Sequence, residues 1–104
     1  MKFNNKESNE KKLVIVIEEN DIYKSMYDFR HFFDLIKSSS AVDYVIDVTD
    51  VEYAPTDFLS IIIKIYDICL EKSSPLLIRV KNKCSFHKLL NISKFEDLCN
   101  IEGV

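Results

Sequence analysis

Acidic side chains crowd one stretch of this sequence. Between Ser38 and Ile63 stand Asp43, Asp47, Asp50, Glu52 and Asp57, with no lysine, arginine or histidine. Carboxylates at that density could hold a cation, accept a phosphoryl group or face a basic partner. Nothing fixes Asp47, Asp50 and Asp57 in the geometry of a metal site. A receiver-like phosphoacceptor at Asp47, with Glu18 and Glu19 behind an earlier strand, needs one more strand and helix than the chain can supply. Contact with a basic protein surface is the chemistry that is left. Thr56 adds a hydroxyl beside Asp57, directly after Pro55. From Lys72 to Lys94 the pattern inverts, with Lys72, Arg79, Lys81, Lys83, Lys88 and Lys94 and no acid. Such asymmetry orients a partner. The plainer reading is a set of solvated element ends.

The other reactive residue types offer less. Cys69, Cys84 and Cys99 are odd in number and widely spaced, with no CxxC pair. They support neither a zinc site nor a thioredoxin-like couple. Cys69 reads as a buried helical thiol, and the set suits a reducing compartment. His31 and His87 each lack a partner one helical turn away, and His31 reads as surface or boundary. No nucleophile–base pair can be assigned, so the expectation is a non-enzymatic chain without cofactor or metal. The single glycine, Gly103, is too late and too alone to build a phosphate loop or a GxGxxG turn.

Composition bounds the rest. A chain of 104 residues is one domain. Its net charge of −3 argues against a dedicated nucleic-acid binder. No apolar run approaches the ~20 residues of a membrane span, so no membrane insertion is expected. Met1–Lys12 is polar and lacks the apolar core of a signal peptide, which makes a cytoplasmic location the default.

The elements that must position these residues follow from periodicity. Residues 1–12 read as a flexible lead-in or turn, with Met1–Phe3 able to add a short edge strand. Leu13–Ile17 is a β-branched run and reads as a buried strand. Asn20 or Asp21 would cap a helix carrying Ile22, Met26, Phe29, Phe33 and Ile36 at steps of three and four. Ser38–Ser40 ends it. Tyr44–Val48 is the second strand, and a polar loop, Thr49–Pro55, follows. Phe58–Leu70 is apolar on a helical period and is stopped by Ser73, Ser74 and Pro75. Leu76–Val80 is the third strand. Ser85 would cap a short helix, Phe86–Leu90, and a final element covers Phe95–Ile101. The alternation predicts an α/β domain with a mostly parallel or mixed sheet of four to five strands packed with helices.

The segment YVIDVTDVEYAPTDFLSIII, Tyr44 to Ile63, resembles the STAS domain of anti-sigma-factor antagonists and sulfate transporters. Asp47 matches the family's strand-end aspartate and Tyr53 its aromatic. Pro55, Thr56, Asp57 and Phe58 stand where the family has Asp-Ser-Ser-Gly. Downstream, LLIRVKNKCSFHKLLNISKFEDLCNI looks like the family's last strand, helix and closing apolar segment. The resemblance runs over roughly residues 13–101, in element order more than in the signature, and makes residues 13–104 a single STAS-like domain.

The resemblance implies a bacterial regulatory module that works by protein–protein contact. Its partner would be an anti-sigma factor or GHKL-type serine kinase, and the module could also self-associate. In the family the second serine of the signature is phosphorylated; Asp57 stands there in this chain. One carboxylate charge would either mimic phosphoserine, at about −1.5 to −2, or mark a switch that has been lost. Thr56 is the one neighbouring hydroxyl that could accept phosphate. Thr56 and Asp57 are equally suited to capping the helix that follows, and Pro55 to entering it. Glu52, Tyr53, Pro55 and Phe58 are the expected partner-binding residues, with Phe58 either an exposed anchor or the first apolar residue of the helix. The alternative is a STAS-like structural subunit, of a transporter ATPase complex or a signalling scaffold, without phospho-switching.

Overall fold

A computed structural model describes all residues, Met1–Val104. Five strands form one sheet: β1 (Lys2–Phe3), β2 (Lys12–Val16), β3 (Asp43–Asp47), β4 (Leu76–Val80) and β5 (Asn100–Gly103). They lie side by side in chain order, β1 antiparallel to β2 and every other pair parallel. Three helices connect or follow the parallel strands: α1 (Arg30–Ser38), α2 (Leu59–Glu71) and α3 (Ser85–Ile92). The fold is α/β, a single mixed sheet packed with helices, as the alternation of elements requires.

The register explains where the core sits. Ile15, Ile46, Ile78 and Ile101 are in line across four strands. Period-two alternation puts them on one face. Phe33 and Ile36 of α1, Ile61, Ile62 and Ile65 of α2, and Phe86 and Leu90 of α3 share one cluster of 25 buried residues with that face. All three helices therefore cover the same side. Each such side chain, fully buried, contributes about 1.5–3 kcal/mol.

The opposite face is closed differently. Val14 and Val45 are buried but stand outside that cluster. Beside them, Glu7 reaches from the β1–β2 connection to Arg79 of β4 and accepts two hydrogen bonds, at 2.6 and 2.9 Å. Ser8 Oγ accepts from the Val14 N–H at 2.9 Å. The hydrogen bonds from Arg79 hold the Glu7 carboxyl below its ordinary range, and Glu7 raises Arg79 in return.

Three expectations need correction. The apolar period from Ile22 to Ile36 is not one helix. One 3-10 turn, Glu19–Asp21, precedes it and a second, Tyr27–Phe29, lies within it before α1 begins at Arg30. Asp28 Oδ2 accepts from the Ser25 N–H and hydroxyl, at 2.9 and 3.2 Å. This local bond competes with helix propagation. Asp21 is consequently no helix cap; it is 1% exposed and bound by the Met1 amine (2.6 Å), Lys24 (3.1 Å) and the Glu18 N–H (2.9 Å).

Next, α3 starts one residue earlier than expected, with Cys84 as its N-cap in place of Ser85. The Cys84 sulfur accepts from the His87 N–H at 3.4 Å. Last, the closing segment is not one element. Phe95–Asp97 forms a 3-10 turn, and β5 then pairs with β4. At the end of α2, Ser73 takes a left-handed φ of 54°. The Ser74 N–H bonds the Cys69 carbonyl and the Ser73 N–H that of Leu70, a Schellman closure with serine in the usual glycine place.

Candidate functional site

Parallel strands deliver their C-terminal ends to one edge of a sheet, and loops leaving that edge are where α/β domains build sites. Here the connection from β3 to α2 is that loop. Its acids are mostly employed in holding it. Asp47 Oδ1 accepts from the Thr49 N–H (3.0 Å) and hydroxyl (2.7 Å), closing an Asx turn. Asp50 Oδ2 accepts from the Glu19 N–H at 3.1 Å, tying the loop to the segment after β2. Glu52 pairs with Lys81, and its hydrogen bond raises the lysine above its ordinary pKa. The Glu52 carbonyl also accepts from the Phe86 N–H at 2.9 Å, which fastens the loop to the first turn of α3. Val51 and Ala54 point inward, while Tyr53 is 63% exposed.

The loop ends in a 3-10 turn, Thr56–Phe58, that runs directly into α2. Pro55 occupies the capping position with φ −66° and ψ 153°, the extended entry that proline favours. Neither Thr56 nor Asp57 caps the helix with its side chain. Both are exposed, and no hydrogen bond or ion pair engages the Thr56 hydroxyl or the Asp57 carboxylate. The expected capping role is therefore absent: the turn satisfies itself through the Phe58 N–H and the Pro55 carbonyl, 3.0 Å apart.

Phe58 is a correction. It is 2% exposed and packs on Phe86 of α3 with ring centroids 5.9 Å apart. It is the core residue that opens the helix and not an exposed anchor for a partner. Thr56 and Asp57, the two residues before it, are exposed.

Thr56 and Asp57 face different hollows. Thr56 shares one of about 350 Å³ with Tyr53, Lys88, Leu89 and Ile92. Asp57 shares another of about 420 Å³ with Tyr23, Lys24, Met26 and Ser60. The Pro55–Phe58 turn is thus a ridge between two grooves with exposed apolar rims. Glu52, Tyr53, Pro55, Thr56 and Asp57 come together in the structure as the sequence reading grouped them. The rim residues Tyr23 and Met26 were missed; Met26 belonged to the expected apolar stripe, yet it is exposed. The signal was there in Ser25-x-x-Asp28, half of a capping box that restarts the chain just before Phe29.

Elsewhere reactive groups are quiet. Burial pushes the Cys69 thiol up to about 12 and the Cys99 thiol up to about 11, so both stay protonated. The His87 Nδ1 accepts from the Lys83 N–H at 2.9 Å, and His31 is exposed on α1. No three His, Cys, Asp or Glu side chains converge on a point that could hold a metal ion. No helix is long and apolar enough to cross a membrane. No family model matches the chain, and neither a curated protein nor a solved structure does.

Proposed function

We propose that this protein is a STAS-like regulatory module of the anti-sigma-factor-antagonist type, a non-enzymatic cytoplasmic protein of bacterial kind. It acts by presenting the Glu52–Asp57 ridge to a protein partner, an anti-sigma factor or GHKL-type serine kinase. The reading rests on the resemblance carried by Asp47, Tyr53 and the start of α2. The observation that supports it best is the freedom of Thr56 and Asp57. Every other acid at this end of the loop is bonded, and these two side chains stand exposed at the entry of the central helix without a structural task. Asp57 supplies a permanent negative charge at the family's acceptor position, and Thr56 is the hydroxyl available for phosphate.

The test is affinity capture of the tagged protein from lysate of its native cells, with mass spectrometry of bait and prey. A GHKL-type kinase or anti-sigma factor among the prey, lost in a Tyr53→Ala, Thr56→Ala double variant, is the expected result. A phosphate on Thr56 would identify the acceptor. Recovery of a transporter ATPase or a large homologous assembly, with the bait unmodified, would move the reading to a structural subunit whose switch is lost.

A further inference from the structure

The outward face of α2 carries an apolar seam unrelated to the loop ridge. Ile63, Tyr66 and Leu70 follow one another at steps of three and four, the spacing that keeps side chains on one line of a helix. Ile63 is 43% and Leu70 61% exposed, whereas Ile61, Ile62, Ile65 and Ile68 of the same helix are buried. A helix apolar on its outward side as well as its inward side has a second surface to cover. The seam does not end with the helix. Tyr66 and Leu70 share a hollow of about 250 Å³ with Leu98, Cys99 and Pro75, and Leu98 is 48% exposed.

Carboxylates stand next to the seam residues along the chain. Asp67 is one turn from Ile63 and three residues from Leu70, and is thus a surface neighbour of both. Glu71 lies one turn beyond Asp67. Glu96 and Asp97, in the 3-10 turn Phe95–Asp97, immediately precede Leu98. All four are exposed, and none has an ion pair. The cations nearest in sequence are Lys64, Lys72 and Lys94, fewer than the carboxylates. Lys72 is turned away, donating to the Lys37 and Ser39 carbonyls at 2.9 Å each.

We infer that the Ile63–Tyr66–Leu70–Leu98 seam docks a basic amphipathic helix of a protein partner. The partner's apolar stripe covers the seam, and its lysines or arginines meet Asp67, Glu71, Glu96 and Asp97. A second copy of this chain fits poorly, because two antiparallel α2 helices meeting on this seam would bring Asp67 against Asp67. The surface runs along α2 from Ile63 to Leu70 and on to Leu98, and the inference does not depend on the function proposed above.

The test uses the intact protein and two synthetic helices, one of leucine and lysine and one of leucine and glutamate, each with its faces segregated. Titration calorimetry should show the lysine helix binding at least about tenfold tighter than the glutamate helix. Leu70→Glu and Leu98→Glu should each weaken the lysine helix by about tenfold. Asp67→Lys should weaken it less and reduce its salt dependence. Tyr27→Glu, at an exposed residue outside the seam, should leave binding unchanged. Both leucines are exposed, so the variants should keep the wild-type amide spectrum, which reports folding directly. Equal binding of both helices, or binding indifferent to Leu70→Glu and Leu98→Glu, would overturn the inference. So would a concentration-dependent dimer that Leu70→Glu abolishes, which would assign the seam to a second copy.

Discussion

Two 3-10 turns of the same length, Glu19–Asp21 and Thr56–Phe58, are built in opposite ways. In Glu19–Asp21 the inward side chain is the acid. Asp21 is buried and takes hydrogen bonds from the Met1 amine, the Glu18 N–H and Lys24. In Thr56–Phe58 the inward side chain is aromatic, and the acid beside it is left in solvent. An aspartate in the first turn has spent its charge on the fold. One in the second holds its charge ready for something else. A cluster of acids in a sequence therefore says little until each member's partners are known.

The strongest way to break this contrast is to remove the two inward side chains. Phe58→Ala should cost about 3–5 kcal/mol, the range for truncating a buried aromatic, as a lowered urea midpoint with unchanged slope. Near-wild-type stability would return Phe58 to the surface and the partner. Asp21→Ala should cost about 3 kcal/mol, because it leaves the Met1 amine and the Glu18 N–H without their acceptor.

Acidification sharpens the same contrast. Burial alone would raise Asp21, but the bonds from Met1, Glu18 and Lys24 outweigh it and hold the carboxyl below its ordinary 3.8. Arg79 holds Glu7 below its ordinary 4.5. A lowered folded-state pKa stabilises above the ordinary value and ceases to as pH falls through the folded one. Stability should therefore be flat above about pH 5 and decline below about pH 4. Asp21→Asn should remove much of that acid limb and Glu7→Gln a smaller part.

The smallest effects belong to the exposed pair. Thr56→Ala and Asp57→Asn should each move stability by less than about 0.5 kcal/mol. Their consequence should appear only in partner capture. A large loss of stability in either variant would give that residue a structural role and end the contrast between the turns.

Much of the fold was legible in the sequence. The β-branched runs Leu13–Ile17, Tyr44–Val48 and Leu76–Val80 have no competing reading at that length, and they are strands to within one residue. The Phe58–Leu70 period was long enough to define α2. The site loop was legible through Pro55, Thr56 and Asp57 because proline and small polar residues mark helix entries from local geometry. The failures came where a local side-chain bond or a distant strand overruled periodicity. Ser25 and Asp28 cut an apolar period that counting alone continues. β5 exists because β4 offers an open edge to Asn100–Gly103, a partner more than twenty residues earlier in the chain.

What the sequence determined by itself is therefore local: which segments alternate with period two, which turn with period 3.6, and which residues lack a structural alternative. Whether an acid is buried and paired or exposed and free depends on groups far along the chain. Glu7 finds Arg79, Asp50 finds the Glu19 N–H, and Asp57 finds nothing. Charge acts through space and is set by which surfaces the fold brings within a few ångströms. Only the tertiary structure could decide that Asp21 belongs to the scaffold and Asp57 to the surface.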